Sequence, residues 1–197
     1  MKHFKFIVFL LVLSCQNDSK KLPVLSYKID SSGNKAPYSI TYSGFTNQLN
    51  KPFNSKNIDN KVFVSNFFFT HCPSICPPIR QKLIEVANTF KNDNDFIIIS
   101  HTIDPENDSI PVLKSYAEAT GIPNDKWQFL YADVNKAKAQ ANQFMTNFRA
   151  KKDGTDFYHS SYVSLVDKKQ AIRGFYNILV SKEVTRLKGD ISILLSE

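Results

Sequence analysis

Cysteine is scarce in this chain, with three in 197 residues, which is too few for a disulfide-stapled scaffold. Long apolar runs are missing as well. The longest, Phe6 to Leu13, falls far short of the roughly 20 residues that a spanning helix needs. There is no internal repeat and no low-complexity segment in the body of the chain, which excludes solenoids and arrays. The formal net charge is +7, yet the lysines are scattered rather than interleaved with aromatic residues along one stripe, so nucleic acid is not an expected partner. Histidine is sparse too, and no second Cys or His pair exists to complete the four-ligand set of a structural zinc site.

What is present fits one globular domain. The length suits a single core, and sixteen Phe with eight Tyr predict that this core is rich in aromatic rings. The first residues stand apart from it. Lys2 and Lys5 precede the apolar stretch, and Val12-Leu-Ser-Cys15 follows, a pattern that resembles a bacterial lipobox. On that reading residues 1–14 are a signal peptide and Cys15 carries the acyl chains. Residues 15–35 are then a flexible tether, residues 36–197 the domain, and the location the bacterial cell envelope on the periplasmic side.

Strand and helix patterns alternate through the domain. Lys61 to Phe69 is an almost continuous β-prone apolar run, as expected of a strand buried on both faces. From Pro77, apolar residues recur at helical spacing (Ile79, Leu83, Val86, Ala87, Phe90), with Pro77 and Pro78 suited to a first turn. Asp95 to Thr102 reads as a second buried strand. A helix capped by Asp108 or Ser109 and stopped at Gly121 comes next. Trp127 to Tyr131 reads as a strand, Val134 to Phe148 as a helix, and Tyr162 to Val166 with Ala171 to Tyr176 as a hairpin. Ser181 caps a last helix, and residues 36–64 hold one or two further strands. This order predicts an α/β fold, a central mixed sheet with helices on both faces. A central strand that delivers a cysteine pair to a helix start makes that fold thioredoxin-like.

The pair, Cys72 and Cys76, lies in Phe69-Thr-His-Cys-Pro-Ser-Ile-Cys-Pro-Pro78. Unpaired amides at a helix start favour thiolate, which both disulfide exchange and metal binding require. Three residues separate the cysteines, against two in thioredoxin-type oxidoreductases, and an i, i+4 pair can share one helical face. Soft thiolates select Cu(I), and a neutral imidazole completes a site that also accepts Cu(II). A Cys72–Cys76 disulfide, static or redox-active, is an equal reading of the spacing alone. Among the histidines, His159 immediately precedes a predicted strand and is the best third ligand. His71 is expected to stand behind the ligands or face solvent, and His101, inside a buried strand, to be a core histidine. A thiol peroxidase gets little support, because Arg80, the one nearby arginine, lies in the predicted helix.

Three blocks taken together resemble the Sco/SenC family: Asn66-Phe-Phe-Phe-Thr-His-Cys-Pro-Ser-Ile-Cys-Pro-Pro78, Thr102-Ile-Asp-Pro-Glu-Asn-Asp-Ser109 and Tyr158-His-Ser-Ser-Tyr-Val-Ser-Leu-Val-Asp167. Val112-Leu-Lys-Ser-Tyr-Ala117, Trp127-Gln-Phe-Leu130 and Ile172-Arg-Gly-Phe-Tyr176 agree in order. The resemblance implies a thioredoxin-like copper protein on the oxidising side of a membrane, with Cys72, Cys76 and His159 in the ligand positions. It implies a role in maturing the dinuclear copper centre of cytochrome c oxidase, by delivering copper, by reducing that centre's cysteines as a thiol-disulfide reductase, or both. The implied partners are the copper-receiving oxidase subunit, an upstream copper donor, and the membrane through the lipid. Asp104 matches an acidic position beside the metal loop, where it is expected to support the ligands from behind or to recognise a partner, with a turn-forming role as the plainer alternative. Ser109 stands where threonine is more usual, and Gln170-Ala171 where a glycine-rich hairpin tip is common.

Overall fold

The computed structural model describes residues 21–150, 157–158 and 160–197. Cys15, the leader and the first part of the expected tether lie outside the described residues, as does His159.

Seven strands form one mixed sheet. Its centre is the parallel trio β5 (Val62–Phe68), β6 (Phe96–Thr102) and β7 (Trp127–Tyr131). On one side the antiparallel strands β10 (Tyr162–Val166) and β11 (Ile172–Asn177) continue it, and on the other the short β3 (Phe45–Asn47) and β4 (Pro52–Phe53). The spatial order is β11-β10-β5-β6-β7-β3-β4. Two small ribbons lie apart: β1 (Tyr27–Ile29) with β2 (Lys35–Pro37), and β8 (Arg149–Ala150) with β9 (Phe157–Tyr158). β5 and β6 are buried along their whole length, which is why their sequences read as continuous apolar runs rather than alternating ones.

Four α-helices cover the sheet: α1 (Cys76–Thr89), α2 (Ile110–Glu118), α3 (Val134–Gln143) and α4 (Ser181–Ser196). Successive strand residues face opposite sides, so neighbouring rings of β5 report on both. Phe68 packs on Tyr116 of α2, with ring centres 5.1 Å apart. Phe67 instead meets Phe144, just beyond α3, at 5.9 Å. Arg80 of α1 lies over the Tyr116 ring, and α1 packs on α4. Three helices therefore share one face of the sheet and α3 holds the other, in agreement with the expected two-sided α/β architecture.

The differences from the expected elements have local causes. The helix from Val134 ends at Gln143, not Phe148, because Met145 turns left-handed (φ 53°) and Phe144 and Phe148 pack inward on Phe67. Ser181 is the first residue of α4 rather than its cap, a position taken by Val180. Ser109 is the cap residue of α2 but its side chain caps nothing, and Asp108 is engaged elsewhere. At the β10–β11 hairpin Gln170 has φ 65°, the left-handed conformation for which glycine would be the easy choice. The amides of Lys169 and Ala171 both donate to Asp167 Oδ1 and hold that turn. Ordered chain also begins before residue 36. Leu22 is buried, and the Arg173 guanidinium donates to its carbonyl and to that of Pro23. Of the stretch expected as tether, Leu22 to Ser26 is thus docked on the domain, while the β1–β2 ribbon that follows is exposed.

Candidate functional site

β5 ends at Phe68 and feeds a tight loop into α1. Cys72 sits in that loop and Cys76 is the first helical residue, so the two are not on one helical face as the spacing suggested. They meet because the loop folds back over the helix start. The Cys76 amide donates to Cys72 Sγ at 3.4 Å, and the Cys76 thiol also hydrogen-bonds the Cys72 sulfur. Pro77 and Pro78 follow and have no amide proton. The first turn of α1 therefore lacks two of its usual open donors, and the Cys76 amide is aimed at sulfur.

Both cysteines are buried and are not joined in a disulfide. Burial pushes the Cys72 thiol up, but hydrogen bonds from the Cys76 thiol, the Ser74 and Cys76 amides and the Ser74 hydroxyl outweigh it. Its value falls below that of an ordinary thiol. Tyr116 borders the same space with Cys76, Arg80, Asn66 and Ser100 around a cavity of about 10 Å³. Burial raises the Tyr116 hydroxyl to about 12, with Arg80 opposing and charge on Cys76, Cys72 and Asp108 adding. As pH rises, Cys72 therefore loses its proton before Tyr116 does.

The loop is anchored from below by Asp108, a residue that sequence reasoning took only for a helix cap. Its carboxylate, wholly buried, accepts from the Thr70 amide (3.2 and 3.1 Å) and from the hydroxyls of Thr70 and Thr102. Burial raises this carboxyl, the threonine hydrogen bonds pull it back, and Asp104 adds a like charge. Asp104 itself is part-buried and accepts from Asn107 Nδ2 at 2.9 Å, a turn-holding contact. Among the described residues Asp104 makes no bond to the cysteine loop, whereas Asp108, four residues on, holds it through Thr70, a link that nothing in the sequence marks.

The histidines divide as expected where they are described. His71 is exposed, its Nδ1 3.0 Å from Thr70 Oγ1. His101 is fully buried between Tyr42 and Phe67, with ring centres 5.6 and 4.6 Å away. Its Nδ1 faces the Asn66 carbonyl at 3.1 Å, so Nδ1 carries the proton. Burial lowers its value to about 4, and it is a neutral core residue. Among the described residues no group of three His, Cys, Asp or Glu is placed to hold one metal ion. Two thiols are gathered, and the third expected ligand, His159, lies outside the described residues.

The SCO1/SenC family model matches residues 31–189. A SCO1 protein homolog of Bacillus subtilis is 29% identical over 177 residues, covering 87% of this chain and 84% of that protein. The structure of BsSco, described as a member of the Sco family of cytochrome c oxidase assembly proteins with a disulfide switch, superposes with a TM-score of 0.72. It is 24% identical and covers 90% of this chain and 99% of its own. Arabidopsis thaliana ScoI, solved with copper bound, gives 0.68 at 23% identity, with 81% and 99% covered. At these identities the structural likeness shows the thioredoxin-like Sco fold.

Proposed function

Because this chain belongs to the SCO1/SenC family, we propose that it handles copper for the assembly of the copper centre of a cytochrome c oxidase, with Cys72, Cys76 and His159 as the metal-holding side chains. The observation that carries this reading is the pair of buried thiols gathered at the start of α1, with the Cys76 amide donated to Cys72. Two thiolates form a soft donor set suited to Cu(I), and an imidazole would add the borderline ligand that Cu(II) needs. Copper is cargo here, to be taken from a donor protein and passed to an oxidase subunit. The position of β10 supports His159: the strand runs antiparallel to β5, so its first residue, Tyr162, stands at the end of the sheet where β5 delivers the cysteines. Copper-bound relatives such as the Arabidopsis protein support the cargo. Equilibrium dialysis against Cu(I) tests the reading. Cys72→Ala, Cys76→Ala and His159→Ala should each weaken binding, and parent-like affinity in all three would sink it.

The lowered Cys72 thiol favours a second role for the same pair, reduction of a partner's disulfide. The Cys72 thiolate attacks one partner sulfur and the other leaves as thiolate. Cys76, deprotonated, then attacks Cys72 Sγ, releasing the partner's dithiol and leaving a Cys72–Cys76 disulfide. Metal-free protein that leaves an oxidised copper-site peptide unreduced at every redox poise rules this role out.

Residues 1–14 are read as a lipoprotein signal and Cys15 as the anchor, holding the domain at the outer side of a bacterial membrane. Among the described residues no helix is long and apolar enough to cross a membrane. Cys15→Ala should move the protein from the membrane to the soluble fraction; retention in the membrane counts against the anchor.

A further inference from the structure

The connections that leave β6 and β7 part company. After β6 the chain goes to α2 on one face of the sheet, and after β7 it goes to α3 on the other. Such a divergence opens a crevice beyond the carboxyl ends of parallel strands, the general location of ligand sites in α/β sheets. Here it is a cleft of about 510 Å³. Its apolar surface comes from Pro105, Tyr131 and Val134, the last of these 39% exposed although it begins a helix, and the wholly buried Ile103 lies beneath. Three carboxylates, Asp104, Glu106 and Asp133, complete the lining, and no Lys or Arg among the described residues contributes to it. The nearest cation on α3, Lys136, is turned away onto the Ser43 carbonyl at 3.2 Å. This local excess of acid stands out on a chain whose formal net charge is +7.

The cleft is coupled to the thiol loop by backbone and side chain. Ile103 N donates to the Phe68 carbonyl at 2.9 Å, and Asp108, at the end of the same connection, holds Thr70. The cleft is thus one to two strands away from Cys72, on the same end of the sheet.

We propose that this cleft docks the partner that exchanges with the thiols, and that it recognises a segment carrying a lysine or arginine beside a small aliphatic side chain. The aliphatic group fills the space between Val134 and Tyr131, and the cation is held by Glu106 and Asp133. The inference rests on the reading of Cys72 and Cys76 as an exchange site, but none of the cleft residues is a copper ligand, so the two can fail separately.

Titration of the isotope-labelled chain with the peptide acetyl-Lys-Val-Lys-amide, followed by amide NMR shifts, tests it. Shifts should centre on residues 103–106 and 131–134 and shrink as salt is raised. Asp133 also caps α3, its Oδ1 accepting from the amides of Asn135 and Lys136. The double variant Glu106→Gln/Asp133→Asn keeps that cap, since Asn caps as well as Asp, and should bind about fivefold more weakly, as expected for two exposed ion pairs. Acetyl-Glu-Val-Glu-amide should give no shifts there. Shifts centred elsewhere, equal binding by the double variant, or equal binding of the acidic peptide would each overturn the proposal. Copper titration of the same samples separates the outcomes: peptide binding without copper binding leaves the cleft standing and removes the copper reading, and the reverse removes the cleft alone.

Discussion

Asp108 shows how a buried carboxylate can serve a site without touching its chemistry. It accepts from one amide and two hydroxyls and so fixes the loop that carries Cys72. Asp108→Ala leaves those donors without an acceptor and should destabilise the fold by about 3 kcal/mol, read by urea unfolding. Asp108→Asn keeps an acceptor and should lose less than half of that. His101 makes a pH prediction. Its folded value, about 4, lies below the ordinary 6.5, so the unfolded chain binds the extra proton first and stability falls as pH drops through that window. From pH 7 to pH 5 the loss should be about 2 kcal/mol, and His101→Leu should flatten it. The site was unevenly legible at this scale. Cys72, Cys76 and a core His101 could be read from residue type and strand context. Asp108 could not, because an Asp before a helix is so often a cap that its turn toward Thr70 leaves no local trace.

Elements were legible where one periodicity dominated. β5, β6, β7 and β10 fall within a residue of their expected limits, because β-prone, largely apolar segments bounded by polar residues mark their own ends. The helix after Val134 did not, since Phe144 and Phe148 fit the helical spacing yet reach the core from a turn. The shared face of Cys72 and Cys76 failed for a similar reason. Spacing reports periodicity only where the chain is helical, and the helix starts at the second cysteine. The family block Ile172-Arg-Gly-Phe-Tyr176 gains a packing reason from β11. A Cβ on Gly174 would lie 2.7 Å from the Tyr176 ring, itself buried, hydrogen-bonded to Asp190 and covered by Arg186. Gly174→Ala should therefore destabilise by about 1–3 kcal/mol through crowding. Calorimetry should show a lowered Tm, and an unchanged Tm would mean that the ring moves freely.

Across the whole molecule, Arg173 joins parts of the chain that are far apart in sequence. Its guanidinium is buried against Asp167 at 2.8 Å and Glu197 at 3.0 Å, and it also holds the carbonyls of Leu22 and Pro23. Arg173→Met strands Asp167 and releases both the Leu22–Pro23 segment and Glu197. A loss of about 3–5 kcal/mol is expected, with new proteolytic cleavage near Lys21 as the visible sign. Because β10 is antiparallel to β5, with Val166 opposite Phe63, this clasp sits at the start of β5. The cysteines sit beyond its end, roughly 20 Å away along the strand. Leu22 and Glu197 thus leave the domain from the pole that bears no thiol. A surface, bead or electrode coupled at Leu22 or Glu197 would hold the molecule with the thiol-bearing pole toward whatever approaches from solution.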